Sequence, residues 1–160
     1  MRPTTTRLVV TLAVLGAAVG WGLSLIVQGW TGRSLPVPIL AGSALWLLAI
    51  ALMVWGMVIK PRIGARVRPE RHPGVQPLPV LMAARVAAIA MAATRMGALV
   101  AGLYGGVAGA TLAAGLSTPA AQQTVLAALL GATGAAATSI AAVRLERWCL
   151  LPHGNDDPDR

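Results

Sequence analysis

The sequence predicts an all-α fold, an integral membrane four-helix bundle, and three observations carry that reading. Apolar residues make up 56% of the chain and charged residues only 11%, where a water-facing domain carries about 25% charged. Four runs are long and apolar enough to cross a bilayer, since about 20 residues rising about 1.5 Å each match its hydrocarbon core. Prolines and charges gather between those runs. The length of 160 residues fits one compact transmembrane domain over 1–152.

The first run, Leu8 to Val27, holds 20 uncharged residues behind a short basic head with Arg2 and Arg7. A basic head before an apolar run also has the form of a secretory signal. This run is long for that purpose and lacks a small-residue cleavage site followed by polar chain, so it is expected to stay as the first span (8–27). Trp21 and Trp30 are expected near the far interface, where amphipathic rings are favoured. Gln28 to Pro36 is a brief turn, and Pro36 and Pro38 stand where proline does no harm, ahead of or in a first helical turn. The second span reads 37–59 and ends at Lys60.

Residues 60–79 hold five Lys/Arg and five prolines, so a basic cytoplasmic loop with partly extended backbone is expected. Val80 to Leu116 then runs 37 residues without proline. As one helix it would reach about 55 Å, far more than one crossing. Two readings stay open: a single span, 96–116, extended at its start by an interfacial or cytoplasmic part (80–95), or two spans broken near Ala93–Gly97. The second would put Arg85 inside the membrane at about 2.5–3.5 kcal/mol if central, which favours the first. After a minimal turn at Ser117–Pro119 the fourth span reads 124–143, with Thr133, Thr138 and Ser139 able to bond nearby carbonyls. An acidic tail, 153–160, is expected to be disordered. The bundle is thus expected as two helical hairpins.

With both termini inside, twelve of the thirteen Lys/Arg fall on the inner side and Arg33 alone outside. Positive charge biases loops to the cytoplasm, so the expected setting is the plasma membrane with N- and C-termini cytoplasmic. Cys149 would then stay a free thiol. The net charge of +8 sits at the ends of apolar runs, which fits anionic lipid rather than nucleic acid.

No acidic residue falls within a span, which argues against proton-coupled drug export. His72 and His153 lie in polar segments without metal-ligand spacing, and no Gly-rich phosphate loop accompanies a lysine. Ser24, Ser43 and Ser139 have no base in reach, so no catalytic, cofactor or metal residue is assigned and no enzyme is expected. Two features remain. Gly16/Gly20, Gly102/Gly106 and Gly105/Gly109 are spaced i, i+4, a pattern that lets a neighbouring helix come close in lipid. Arg85, Arg95, Arg144, Arg147 and Glu146 form a candidate charge network at the inner interface. The arginines fit interfacial anchoring, a salt bridge or an anionic-substrate site. Arg95 and Glu146 are expected at one depth, tying the second hairpin, with Arg144 and Arg147 as local competitors and Trp148 as an interfacial anchor.

The runs AARVAAIAMAATRMGALVAGLYGG (83–106) and RLERWCLLP (144–152) resemble a family of small four-span membrane proteins from actinobacteria, catalogued only as a domain of unknown function. Similar proteins are often encoded beside folate-biosynthesis enzymes, which implies context but no activity. Where that family often has a lysine, this chain has Arg95. The resemblance carries over no catalytic residue. The function expected is a non-enzymatic structural or accessory subunit packed through Gly/Ala faces, with a membrane-protein partner or a second copy. The alternative is a small-anion carrier using Arg95. A membrane-bound enzyme subunit supplying lipid anchorage is a third reading. A water-filled cavity reaching Arg95 would favour the carrier, and a dry Ala/Gly centre the accessory role.

Overall fold

The computed structural model describes residues 6–67 and 80–149. The side chains of Arg147, Trp148 and Cys149, the connector 68–79 and the acidic tail lie outside the described residues. Four helices form: α1 (Thr6–Thr31), α2 (Ile39–Val67), α3 (Val80–Ala114) and α4 (Pro119–Cys149). Each contains a segment long and apolar enough to cross a membrane, namely Thr6–Thr31, Ile39–Ile59, Ala84–Ala114 and Pro119–Glu146. The chain is a multi-pass membrane protein.

Local chemistry explains where the helices end. Gly32 takes a φ of 63° and its N–H bonds the carbonyl of Gln28 at 2.9 Å, a left-handed cap that closes α1 and that glycine adopts without a Cβ clash. Gly115, at φ 97°, ends α3 in a related way, its N–H bonding Leu112 O at 3.1 Å. At the start of α4 the Thr118 hydroxyl accepts the N–H of Ala121 at 3.2 Å. Pro119 follows in the first helical position, where its missing N–H leaves nothing unsatisfied.

α3 runs unbroken for 35 residues, so the turn near Ala93–Gly97 that a two-span reading requires does not form. The expectation of a loop from Lys60 onward is corrected in part: α2 continues through Pro61 to Val67. A single interior proline removes one hydrogen bond and bends a helix without ending it. Close to the membrane edge, water can satisfy the freed carbonyl.

The helices pack in the order α1, α3, α4, α2: α3 packs on α4, α1 on α3 and α2 on α4. The expectation of two hairpins therefore holds for α3 and α4 only, because among the described residues α1 and α2 do not pack on each other. The connector 32–38 is long enough to separate them, since seven extended residues reach about 23 Å, more than two helix spacings of about 10 Å. It passes across the central pair, with Leu35 and Val37 packed on Val107, Ala108 and Ala128 beside Tyr104. Val107 lies about 10 Å inside the end of α3 at 1.5 Å per residue, where unpaired backbone is costly. Pro36 and Pro38 bring no N–H, and the Thr124 hydroxyl donates to Leu35 O at 3.2 Å.

The interior is built from small side chains. The largest wholly buried ones are Val107, Thr94, Thr111 and Ser24, with Ala90, Ala128, Ala135 and Ala142 around them. Leu, Ile and Trp side chains such as Leu15, Leu23, Leu47, Ile50, Trp55 and Ile140 face outward. That distribution is the reverse of a water-soluble bundle and suits helices that approach closely in lipid.

Candidate functional site

The glycines spaced i, i+4 place α1 directly against the backbone of α3. A Cβ added to Gly16 would run into Leu99 O, and one on Gly20 into Leu103 O. Reciprocally, a Cβ on Gly102 or Gly106 would strike the carbonyls of Ala13 or Ala17. Numbers rise together along both helices, so α1 and α3 run parallel and meet backbone to backbone. The carbonyl of one helix occupies the place a methyl group would take on the other, the arrangement in which Cα–H···O contacts form.

Gly109 contacts the ring of Trp21, whose Cζ3 lies 3.1 Å from an added Cβ. Trp21, 42% exposed, thus also packs on the seam, ten residues before the end of α1. Trp30, 88% exposed, stands at the helix end. Gly105 makes no such contact within the described chain: it is exposed and nothing lies within 4 Å of an added Cβ. Its i, i+4 partner lies on the seam, but Gly105 is turned off it.

Glycines that the spacing rule passed over complete the other seams. A Cβ added to Gly97 would lie 3.0 Å from Ala135 O, and one on Gly131 would lie 2.9 Å from the Tyr104 ring, both between α3 and α4. Gly42 and Gly134 serve the parallel contact of α2 with α4, against Leu130 and against Leu45 and Trp46. These are isolated glycines among alanines, and the signal that finds them is small residues of any kind at i, i+4, as in Gly131/Ala135 and Gly134/Thr138. Hydroxyls add cross-links: Ser139 donates to Thr94 O at 3.1 Å and Thr138 to Leu45 O at 3.2 Å. Ser139 therefore bonds across helices where a local bond was expected, while Thr133 bonds its own helix at Leu129 O, 2.8 Å.

The charged residues lie at the opposite end from Arg33, where α1 and α3 begin and α2 and α4 finish. Arg85, Arg95 and Arg144 are exposed, whereas Glu146 is buried at 3% exposure and engaged there. The bond from Ser139 to Thr94 sets the register of the hairpin. Arg95, next to Thr94, is level with Ser139, while Glu146 sits two turns on, about 10 Å nearer the basic end and level with Ala87–Ala90. The backbones of Arg95 and Glu146 are thus offset by about two helical turns along the hairpin. Arg85 and Arg95 are about 15 Å apart along the axis, so they do not converge on one ligand. Arg95 lies about 29 Å from the far end of α3, close to one hydrocarbon thickness.

Near the basic end a pocket of ≈ 90 Å³ between α2, α3 and α4 is lined by the apolar side chains of Leu52, Trp55, Val86, Ile89 and Leu145, which offer water no hydrogen-bond partner. Among the described residues, no group of three or more His, Cys, Asp or Glu could hold a metal ion.

Residues 9–153 match a family described as protein of unknown function (DUF3180), a stretch that covers α2, α3 and α4 and all but the first three residues of α1. This chain belongs to that family. The resemblance read from 83–106 and 144–152 falls within the DUF3180 match, and so does the glycine seam. No curated protein and no solved structure matches the chain significantly.

Proposed function

We propose that the chain is a non-enzymatic structural or accessory subunit of the plasma membrane, with both termini cytoplasmic and its basic end against anionic lipid. The observation that carries this reading is the filled centre: no wholly buried side chain among the described residues is larger than valine. Helices packed so closely leave no path for a solute and offer rigid outer faces to a partner membrane protein or a second copy. A carrier working through Arg95 would need that guanidinium to face a wet interior, and Arg95 stands on the outside of α3.

Two measurements test the reading. The chain, purified in mild detergent, should hold a second chain at fixed ratio, its own or a partner's. Instead, anion movement by the reconstituted monomer, stopped by Arg95→Gln, would overturn the proposal. For orientation, an impermeant maleimide added to intact cells should label Ser117→Cys and spare Cys149, and the reverse pattern would invert the threading.

A further inference from the structure

A polar cavity lies at the other end of the bundle and plays no part in the reading above. Between the end of α1, the start of the connector 32–38 and the turn joining α3 to α4 is a cavity of ≈ 570 Å³ whose polar lining comes from Gln28, Arg33, Ser34, Thr111, Ser117 and Thr118. A second open hollow, of ≈ 650 Å³, is walled by Leu47, Ile50, Ala51, Val54, Trp55 and Val58, a surface that acyl chains satisfy. Acyl chains cannot satisfy amide, hydroxyl and guanidinium groups.

We infer that this cavity binds the phosphate of a polar molecule at headgroup depth, through Arg33. Arg33 is the single basic residue between Arg7 and Lys60, and it is in the cavity wall. Glu146 is the sole carboxylate residue among the described residues, and it sits at the far end of α4, about 40 Å away. No acidic side chain of the described residues therefore neutralises this guanidinium, whose planar fork of donors matches a phosphate.

The rest of the wall is of the same character. Gln28 is anchored by donating through Nε2 to Ser24 Oγ at 3.0 Å, which uses one of its two N–H groups and leaves the other for a ligand. The hydroxyls of Ser34, Ser117 and Thr118 add further donors, and the start of α4 contributes a smaller positive field. The volume exceeds that of a bare phosphate and falls in the range of small-ligand sites, about 300–1,000 Å³. It therefore admits the phosphate together with a polar substituent such as glycerol. The same chemistry is offered by a phospholipid headgroup and by a soluble organophosphate.

The test reads protection of a thiol placed in the wall. Full-length protein carrying Ser117→Cys and Cys149→Ala is reconstituted in nanodiscs of neutral glycolipid or of phosphatidylglycerol, at fixed ionic strength of about 0.15 M to hold screening constant. Maleimide labelling is timed with and without glycerol 3-phosphate. Slowing of at least about tenfold in phosphatidylglycerol discs alone identifies a lipid headgroup. Slowing by glycerol 3-phosphate in neutral discs identifies a soluble ligand. In either case Arg33→Gln should abolish protection, Arg33→Lys should keep most of it, and Arg95→Gln at the opposite end should change nothing. Labelling that no phosphate probe slows, or protection that survives Arg33→Gln, would overturn the assignment and leave Arg33 as an interfacial anchor.

Discussion

The two outer helices are attached in different ways. α1 meets α3 through glycines on both sides, each facing a backbone carbonyl of the other helix. α2 meets α4 through Gly42 and Gly134, where an added Cβ would lie 3.1 Å from Gly131 N and 3.0–3.2 Å from atoms of Leu45 and Trp46. A carbonyl standing in the place of the methyl group demands that the helices part, whereas contacts at 3.0–3.2 Å are met by a shift of a few tenths of an ångström. Glycine thus excludes any side chain at one seam and leaves nearly enough room for a methyl group at the other.

Substitutions can break or sharpen that contrast. The largest loss is expected from Gly102→Ala, where the new methyl group meets Ala13 O; overpacking of this kind costs about 1–3 kcal/mol. Equilibrium unfolding in mixed micelles should show it, with protease cutting α1 free first. Gly134→Ala meets Trp46 Cδ1 at 3.0 Å and Leu45 Cβ at 3.1 Å, contacts that a shift of a few tenths of an ångström between α2 and α4 relieves, and should fall at the low end, about 1 kcal/mol. Equal losses at the two sites would remove the distinction between the seams.

Ser139→Ala deletes the bond to Thr94 O and should lower stability by about 0.6 kcal/mol, the average for such bonds in a membrane bundle. A double-mutant comparison with Gly97→Ala on the facing helix would report their coupling. The smallest effect belongs to Gly105→Ala, which enters open space and should stay within about 0.5 kcal/mol of the parent. A melting temperature well below the parent's would show that something covers this face of α3 in the membrane.

The sequence made the four spans legible because lipid imposes one simple demand, a long uncharged run whose backbone bonds itself. The α1–α3 seam was legible for a related reason, since Gly16/Gly20 and Gly102/Gly106 are pairs. Gly105 stands apart because spacing shows that two residues share a face without showing which face a neighbour takes. The depth of Glu146 was within reach: folding the hairpin about Leu116–Ser117 sets residue 95 opposite 138 and residue 146 opposite 87. The observed bond from Ser139 to Thr94 fits that mirror. Side-by-side placement of α1 and α3 was not legible, because a connector of seven residues permits either a tight hairpin or a crossing. The polar cavity around Arg33 draws on two separate stretches of chain, 28–34 and 111–121, that only folding brings together.

The separation of α1 from α2 has a consequence for biosynthesis. Emerging from the ribosome first, these two helices find no docking surface in each other, and each must wait in lipid for its mate to be inserted. Assembly therefore completes only after the last helix is released, and a chain terminated before α3 would leave two unmated segments for quality-control proteases. Conversely, halves produced as separate polypeptides, divided in the connector after α2, retain every surface required to rejoin.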